Sequence, residues 1–278
     1  MKKISKIIAI ISGILLILGL LYVANAFVGN PISKMIVTKN AVKYIEETYI
    51  NTDYYVDKVT YSFKTGGYYA NIKSPSSEDT YFSVSYNMLG DIGYDRFPTR
   101  VADGFNTWER INSQYRKVTD DIIANIPYES DIAFGEIETI DKGNSILNFG
   151  LDMSELELDK NYDIAKLGSE YGNITIYVYV EEVTAEKARE VLLEIKNEFE
   201  KENQSFYAID LVLRNSQKKE LKDWQDEDSI RMEGILYTDI VEDGLLEKIE
   251  TAIIETKKYY DEMDKKEKEK EMEQEKNL

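Results

Sequence analysis

The 278-residue chain contains no cysteine and no histidine. The missing cysteine excludes disulfides, thiolate nucleophiles, Cys-ligated zinc and iron–sulfur clusters. It also excludes a lipid-modified anchor, which needs a cysteine. The missing histidine removes the usual general base and the commonest metal ligand, so a Ser-His-Asp triad is impossible. Positive charge is scarce as well: 34 Lys and Arg face 52 Asp and Glu, for a formal net charge of −18. A surface of that sign repels DNA, RNA and anionic headgroups, so no nucleic-acid partner is expected.

The chain has the apolar content a folded core needs. Hydrophobic residues make up 43% and aromatics 12%, more than a disordered chain would carry. Tyrosine stands at 21 residues. Tyr covers apolar surface while keeping a wet hydroxyl, so it suits half-buried sheets and binding faces alike.

Lys2, Lys3 and Lys6 precede a run from Ile7 to Val28 that is almost wholly apolar. That length matches the ~20 residues a spanning helix requires. Lysines before the run and acidic segments after it predict a single pass in the cell membrane, with residues 1–6 cytoplasmic, residues 7–28 in the lipid bilayer and the bulk extracellular. The competing reading is a cleaved signal peptide, because Ala24-Asn25-Ala26 has the form of a cleavage site. Retention is favoured: the apolar run passes through that site, and Asn30-Pro31 starts a helix almost at once.

Beyond the anchor the periodicity predicts α+β architecture, in two small domains with helices on antiparallel or mixed sheets. The first, over residues 29–127, opens with a helix from Pro31 to about Tyr49, its stripe being Ile32, Met35, Val42, Ile45 and Tyr49. Three alternating strands follow. Their inward sets are Val59, Tyr61 and Phe63, then Tyr68, Ala70 and Ile72, then Phe82, Val84 and Tyr86. Gly66-Gly67 turns the first hairpin. Residues 90–98 read as a loop, and a second helix runs from Ala102 to Asn125, ended by Pro127.

The second domain covers residues 128–262. Its strands are expected at Ile132–Ile140, Ser145–Met153, Ile174–Val180, Phe206–Leu213 and Ile230–Tyr237. Helices are expected at Tyr162–Tyr171, Ala185–Asn203 and from Val241 onward. The strand–helix–strand unit around Ala185–Asn203 predicts parallel pairing of its strands, or a skipped strand. Residues 263–278 form a charged tail, as a solvated helix extension or a disordered segment.

The stretch Gly29-Asn30-Pro31-Ile32-Ser33-Lys34 after an apolar helix, followed by Ala41-Val42-Lys43-Tyr44-Ile45-Glu46, resembles the YfjL-like family of Firmicute proteins. So do Leu156 to Ile164 and Phe206 to Asp210. The likeness runs from about Ile7 to about Tyr260 and implies a membrane-anchored, two-domain protein. It transfers no activity and no catalytic residue.

No catalytic, cofactor or metal residue can be assigned from the chain. Carboxylates are its sole acid–base groups, densest at Asp120-Asp121, at Asp91 with Asp95, and at Asp226-Glu227-Asp228. Solvated surface accounts for each. The last group lacks the glycine of a calcium loop. Thr65-Gly66-Gly67 has no helix with Lys-Ser/Thr after it, so it is a turn and no phosphate loop. Ser33-Lys34 and Ser216 with Lys218 lack the spacing of a Ser–Lys dyad. The tyrosines of the first domain are the candidate binding surface, chiefly Tyr54, Tyr55, Tyr69 and Tyr81. Cross-strand pairs that stabilise a small sheet are the favoured reading of these rings. The expected function is non-catalytic binding or sensing of an envelope protein or cell-wall polymer, without a cofactor. The rival is a carboxylate-dependent hydrolase of wall glycans, which requires two facing carboxylates and a raised pKa on one.

Overall fold

A computed structural model describes residues 2–140, 146–218 and 229–276. They form two compact units, Met1–Thr107 with Ser154–Lys160, and Trp108–Met153 with Asn161–Leu278.

The first unit begins with α1 (Lys2–Val28), a helix long and apolar enough to cross a bilayer. From Ile10 to Leu20 its residues are exposed, with none packed against the rest of the protein. α2 (Pro31–Thr48) starts as its cap residues dictate: Asn30 is extended, its Oδ1 accepts from the Ile32 N–H, and Pro31 sits in the first turn. The sheet behind α2 has the order β1 (Tyr55–Ser62), β2 (Gly67–Lys73), β3 (Tyr81–Tyr86) and β4 (Ile92–Asp95), all antiparallel. Val59, Tyr68, Ala70, Ile72, Phe82, Val84 and Tyr86 point inward, as alternation predicts.

Phe63, expected inward on the first strand, instead stands in the turn after β1 ends at Ser62 and is 59% exposed. Two further features of this unit depart from the sequence expectation. The buried face of α2 is Ser33, Val37, Ala41 and Ile45, while Ile32, Met35 and Val42 are 66%, 73% and 42% exposed. Polar contacts fix the helix's rotation: Asn40 Nδ2 donates to Gly90 O, and Tyr44 Oη donates to Asp95. Small Ser33 and Ala41 then let the helix lie close on the sheet. β4 is the second departure, a four-residue strand inside the expected 90–98 loop. Ser85 Oγ accepts the Tyr94 N–H at 2.7 Å where the ladder is irregular. A five-residue π-helical turn, Pro98–Ala102, follows.

The compact units divide inside α3 (Phe105–Ile123), at Thr107/Trp108. From Trp108 onward α3 belongs with the second unit. Trp108 Nε1 donates to Ile137 O, Asn112 Oδ1 accepts the Ile137 N–H, and Tyr115 lies against Gly168 and Gly172.

The second unit is built on the sheet β5 (Ser130–Ile137), β6 (Gly172–Val180), β7 (Ala208–Asn215) and β8 (Ser229–Leu236). β6 and β7 pair in parallel through the crossover helix α5 (Ala185–Lys201), as expected, and the edge strands are antiparallel. Thr184 caps α5 by accepting from the Lys187 N–H. The α5 stripe Ala188, Val191, Leu192, Ile195 and Phe199 is fully buried, each large member worth ~1.5–3 kcal/mol by area. α4 (Ile164–Tyr171) leads into β6. α6 (Leu245–Lys276) packs on β8 and α5 and continues as an exposed charged helix beyond Met263. The strand expected at 145–153 starts outside the described residues. Its described part makes one bridge, Leu151 with Thr139.

Candidate functional site: the open face of the first sheet

Strand alternation that buries one face of β1–β3 under α2 leaves the other face open, and register builds it in rows. Tyr55, Lys73 and Tyr81 lie side by side across the three strands. Lys58, Asn71 and Ser83 form the next row, and Thr60, Tyr69 and Ser85 the third. Arg96 and Arg100 come in from the segment after β4. Lys73, Tyr81, Lys58, Asn71 and Ser83 of the first two rows, with Asp57 and these arginines, line a groove of about 300 Å³.

The groove carries four cations, Lys58, Lys73, Arg96 and Arg100, against one carboxylate, Asp57. That is a local reversal of the sign of the whole chain. Lys73 Nζ is 3.0 Å from Asp57, and the hydrogen bond and charge of that carboxylate raise the lysine's pKa, keeping it an ammonium. Arg100 stacks over the Phe105 ring at 4.5 Å, which orients its guanidinium. Arg96 is tied through its backbone to Ser83 O, and the start of β3 through Asn106 Nδ2 donating to Tyr81 O. Arginine forks bind planar anions in pairs of hydrogen bonds, and Asn71 and Ser83 add neutral donors. Two tyrosines beside Lys73 offer rings and hydroxyls to whatever the cations attract.

Of the four tyrosines expected on a binding surface, Tyr55, Tyr69 and Tyr81 share this face. Tyr81 lines the groove, and Tyr69 is half-buried with its hydroxyl donating to Thr65. Tyr54 lies on the other side, in a ring cluster with Tyr49, Phe82 and Phe97 at 5.5, 6.0 and 6.2 Å. Burial raises its pKa, as it does for Tyr44 and Tyr49, whose hydroxyls both donate to Asp95. Tyr86, buried in the same core, is pushed up to about 12. Much of the tyrosine in this unit therefore serves packing.

The carboxylate groups singled out from sequence are dispersed. Asp120 and Asp121 are exposed on α3. Asp91 accepts from Asn87, and Asp95 accepts from two tyrosines and the Phe97 N–H. Asp226-Glu227-Asp228 lies outside the described residues. Among the described residues no group of three or more Asp and Glu is placed to hold a metal ion. The carboxyl raised most clearly by burial is Asp210 on β7. Its two oxygens accept from Asn173 Nδ2 at 2.7 Å and from the Gly234 N–H at 2.8 Å, which ties β6, β7 and β8 together. A second arrangement that sequence reading missed joins Asp79 and Asp159. Each backbone N–H donates to the other's carboxylate, at 3.0 and 2.8 Å, which holds 154–160 in the first unit. Eighty residues separate the pair, and no local pattern signals it. Nor did any motif mark the groove, because Lys58, Lys73, Arg96 and Arg100 become neighbours only when the strands pair and the segment after β4 folds beside them.

No curated protein matches the chain. Among solved structures, that of a DUF5037 family protein from Ruminococcus gnavus is similar at 14% identity over 74% of this chain and 87% of that chain, with a TM-score of 0.20. The family model for the YfjL-like N-terminal domain matches residues 3–96 and that for the YfjL-like C-terminal domain matches residues 114–250, and the chain thus belongs to the YfjL-like family.

Proposed function

We propose that this protein is a membrane-anchored, extracytoplasmic binding module whose first sheet captures an anionic polymer of the cell envelope. The N-terminus lies inside, α1 crosses the bilayer, and both units face outward. The observation that carries the binding reading is the cationic groove: four cations, two from the open sheet face and two from the segment after β4, in a chain whose net charge is −18. A repulsive whole-molecule field with one attractive groove selects for partners that present anionic groups at short range. Tyr55 and Tyr81 beside Lys73 suit a polymer whose anions alternate with apolar or ring-bearing units.

The test uses the full chain in detergent micelles. Retention on immobilised polyphosphate is expected to exceed retention on neutral dextran, to weaken with salt, and to be lost in the Lys73→Glu/Arg96→Glu variant. Equal retention of that variant would refute the groove. Protease treatment of intact cells addresses topology: cleavage of the 29–278 portion from outside supports it, and full protection overturns it. Sequencing the mature N-terminus decides between an anchor and a cleaved signal, since a released chain starting at Phe27 would contradict retention.

A further inference from the structure

The hairpin between β1 and β2 ends in an unusual tip. Turns favour Gly, Asn, Asp, Pro and Ser, yet here Phe63 stands in the turn and is 59% exposed. It does not stand alone. Its ring lies 6.3 Å from that of Phe27, in the last turn of α1, and Phe27 is itself 66% exposed. Tyr61, the residue before Ser62, donates its hydroxyl to Ala26 O at 2.9 Å and so satisfies a carbonyl at the end of that helix. Gly29 has φ +82°, and a Cβ there would sit 2.6 Å from the Tyr61 ring. Tyr68 Oη both accepts from the Asn30 N–H, at 2.6 Å, and donates to Asn30 O, at 3.0 Å. The hairpin and the end of the apolar helix are therefore locked together.

We propose that this tip is a second membrane contact, with Phe63 and Phe27 seated at the lipid headgroup level and Lys64 reaching lipid phosphates. The inference rests on the reading of α1 as a span. If residues 7–28 fill the hydrocarbon, whatever touches residues 26 and 27 lies at the interface, where aromatic rings are favoured and lysines snorkel. Local charge agrees. Residues 29–45 contain Lys34, Lys39 and Lys43 and no acid, in a chain that is otherwise strongly acidic. Val28 is 78% exposed and Ile32 66%, which extends the apolar rim around the junction. The consequence is orientation: two contacts, at α1 and at the hairpin tip, fix the tilt of the first sheet at the membrane where one helix alone would let it swivel.

The absence of cysteine makes the test direct. The full chain is reconstituted in vesicles of phosphatidylcholine and phosphatidylglycerol containing brominated lipid, with the bromines deep in the acyl chains for the probe at 16 and close to the headgroup for the probes at 55 and 65. A fluorophore is placed on Leu16→Cys in the span, Thr65→Cys beside the tip, or Tyr55→Cys at the far end of β1, about 23 Å from the turn at ~3.3 Å per residue. Quenching at 16 and 65 but not at 55 is expected, and Phe63→Ser in the Thr65→Cys chain should cut quenching at 65 severalfold with an unchanged circular dichroism spectrum. Quenching at 16 alone overturns the hairpin seat and leaves the anchor standing. No quenching at 16 overturns the anchor reading itself. Quenching at 55 as strong as at 65 also overturns the seat, because the sheet would then lie flat on the bilayer.

Discussion

Gly168 sits inside α4, where glycine costs ~1 kcal/mol relative to alanine by intrinsic propensity. On that ground alone Gly168→Ala should stabilise the second unit. The packing says the reverse. A Cβ at 168 would stand 2.6 Å from Cε2 of Tyr115 and 3.2 Å from Ser205 O. Tyr115 is 1% exposed and its ring also lies against Gly172, so it cannot swing aside. Forcing a methyl into a packed site costs ~1–3 kcal/mol, and a ring confined on two sides puts this case toward the upper part of that range. Subtracting the propensity gain leaves a net loss of about 1–2 kcal/mol. For a unit of this size that lowers the melting temperature by about 2–8 °C. Thermal unfolding followed by circular dichroism on the wild type, Gly168→Ala, Tyr115→Leu and the double variant measures it. Leucine at 115 vacates the space the ring edge occupies. The glycine replacement should then become neutral or favourable, with a coupling of at least ~1 kcal/mol between the two sites. A Gly168→Ala protein that melts higher than wild type, or one whose penalty survives in the Tyr115→Leu background, would refute the argument.

Other consequences can be measured on the same protein. Tyr68→Phe removes both hydrogen bonds to Asn30 and should cost ~1–3 kcal/mol in denaturant unfolding, because it strands a half-buried N–H and C=O. Asp210 titrates above the ordinary value of 3.8, chiefly through burial, against the opposing donors of Asn173 and Gly234. The folded state therefore holds the proton more tightly than the unfolded chain. The stability this contributes is complete below 3.8 and is lost as pH rises through the raised value. Asp210→Asn should flatten that part of the stability–pH curve, and unfolding free energies at several pH values between 4 and 7 would check it. Asn30→Ala should cost about 1 kcal/mol through loss of the α2 cap, read as a lower denaturation midpoint at unchanged m-value. In the groove, single replacements of Arg96 or Arg100 by Ala should each weaken polyphosphate retention and reduce its salt dependence, while Asp120→Ala, on an exposed stretch of α3, leaves it unchanged.

Much of the fold was legible from local signals. Apolar run length marked α1. Asn30-Pro31 and Thr184 marked the starts of α2 and α5 through a cap that depends only on adjacent residues. Period-two alternation gave the inward residues of β2 and β3, and the length of the segment around α5 gave the parallel pairing of β6 and β7. These features follow from the chain's own covalent geometry, so neighbours in sequence suffice to state them.

The tertiary structure decided the rest, wherever distant groups compete for one surface. The buried side of α2 was set by Gly90, Asp95 and Tyr68, none of them near α2 in sequence, and it overrode the visible apolar stripe of Ile32, Met35 and Val42. α3 joined the second unit because Ile137, Gly168 and Gly172 are the surfaces its face fits. A total charge of −18 describes the whole molecule, while a groove is made by whichever few side chains strand register sets side by side. Lys58 and Lys73 come from two strands and Arg96 and Arg100 from a turn beyond a third. Composition averages over charges that folding sorts by position, and for that reason a cationic site could be built in a chain whose sequence argued against one.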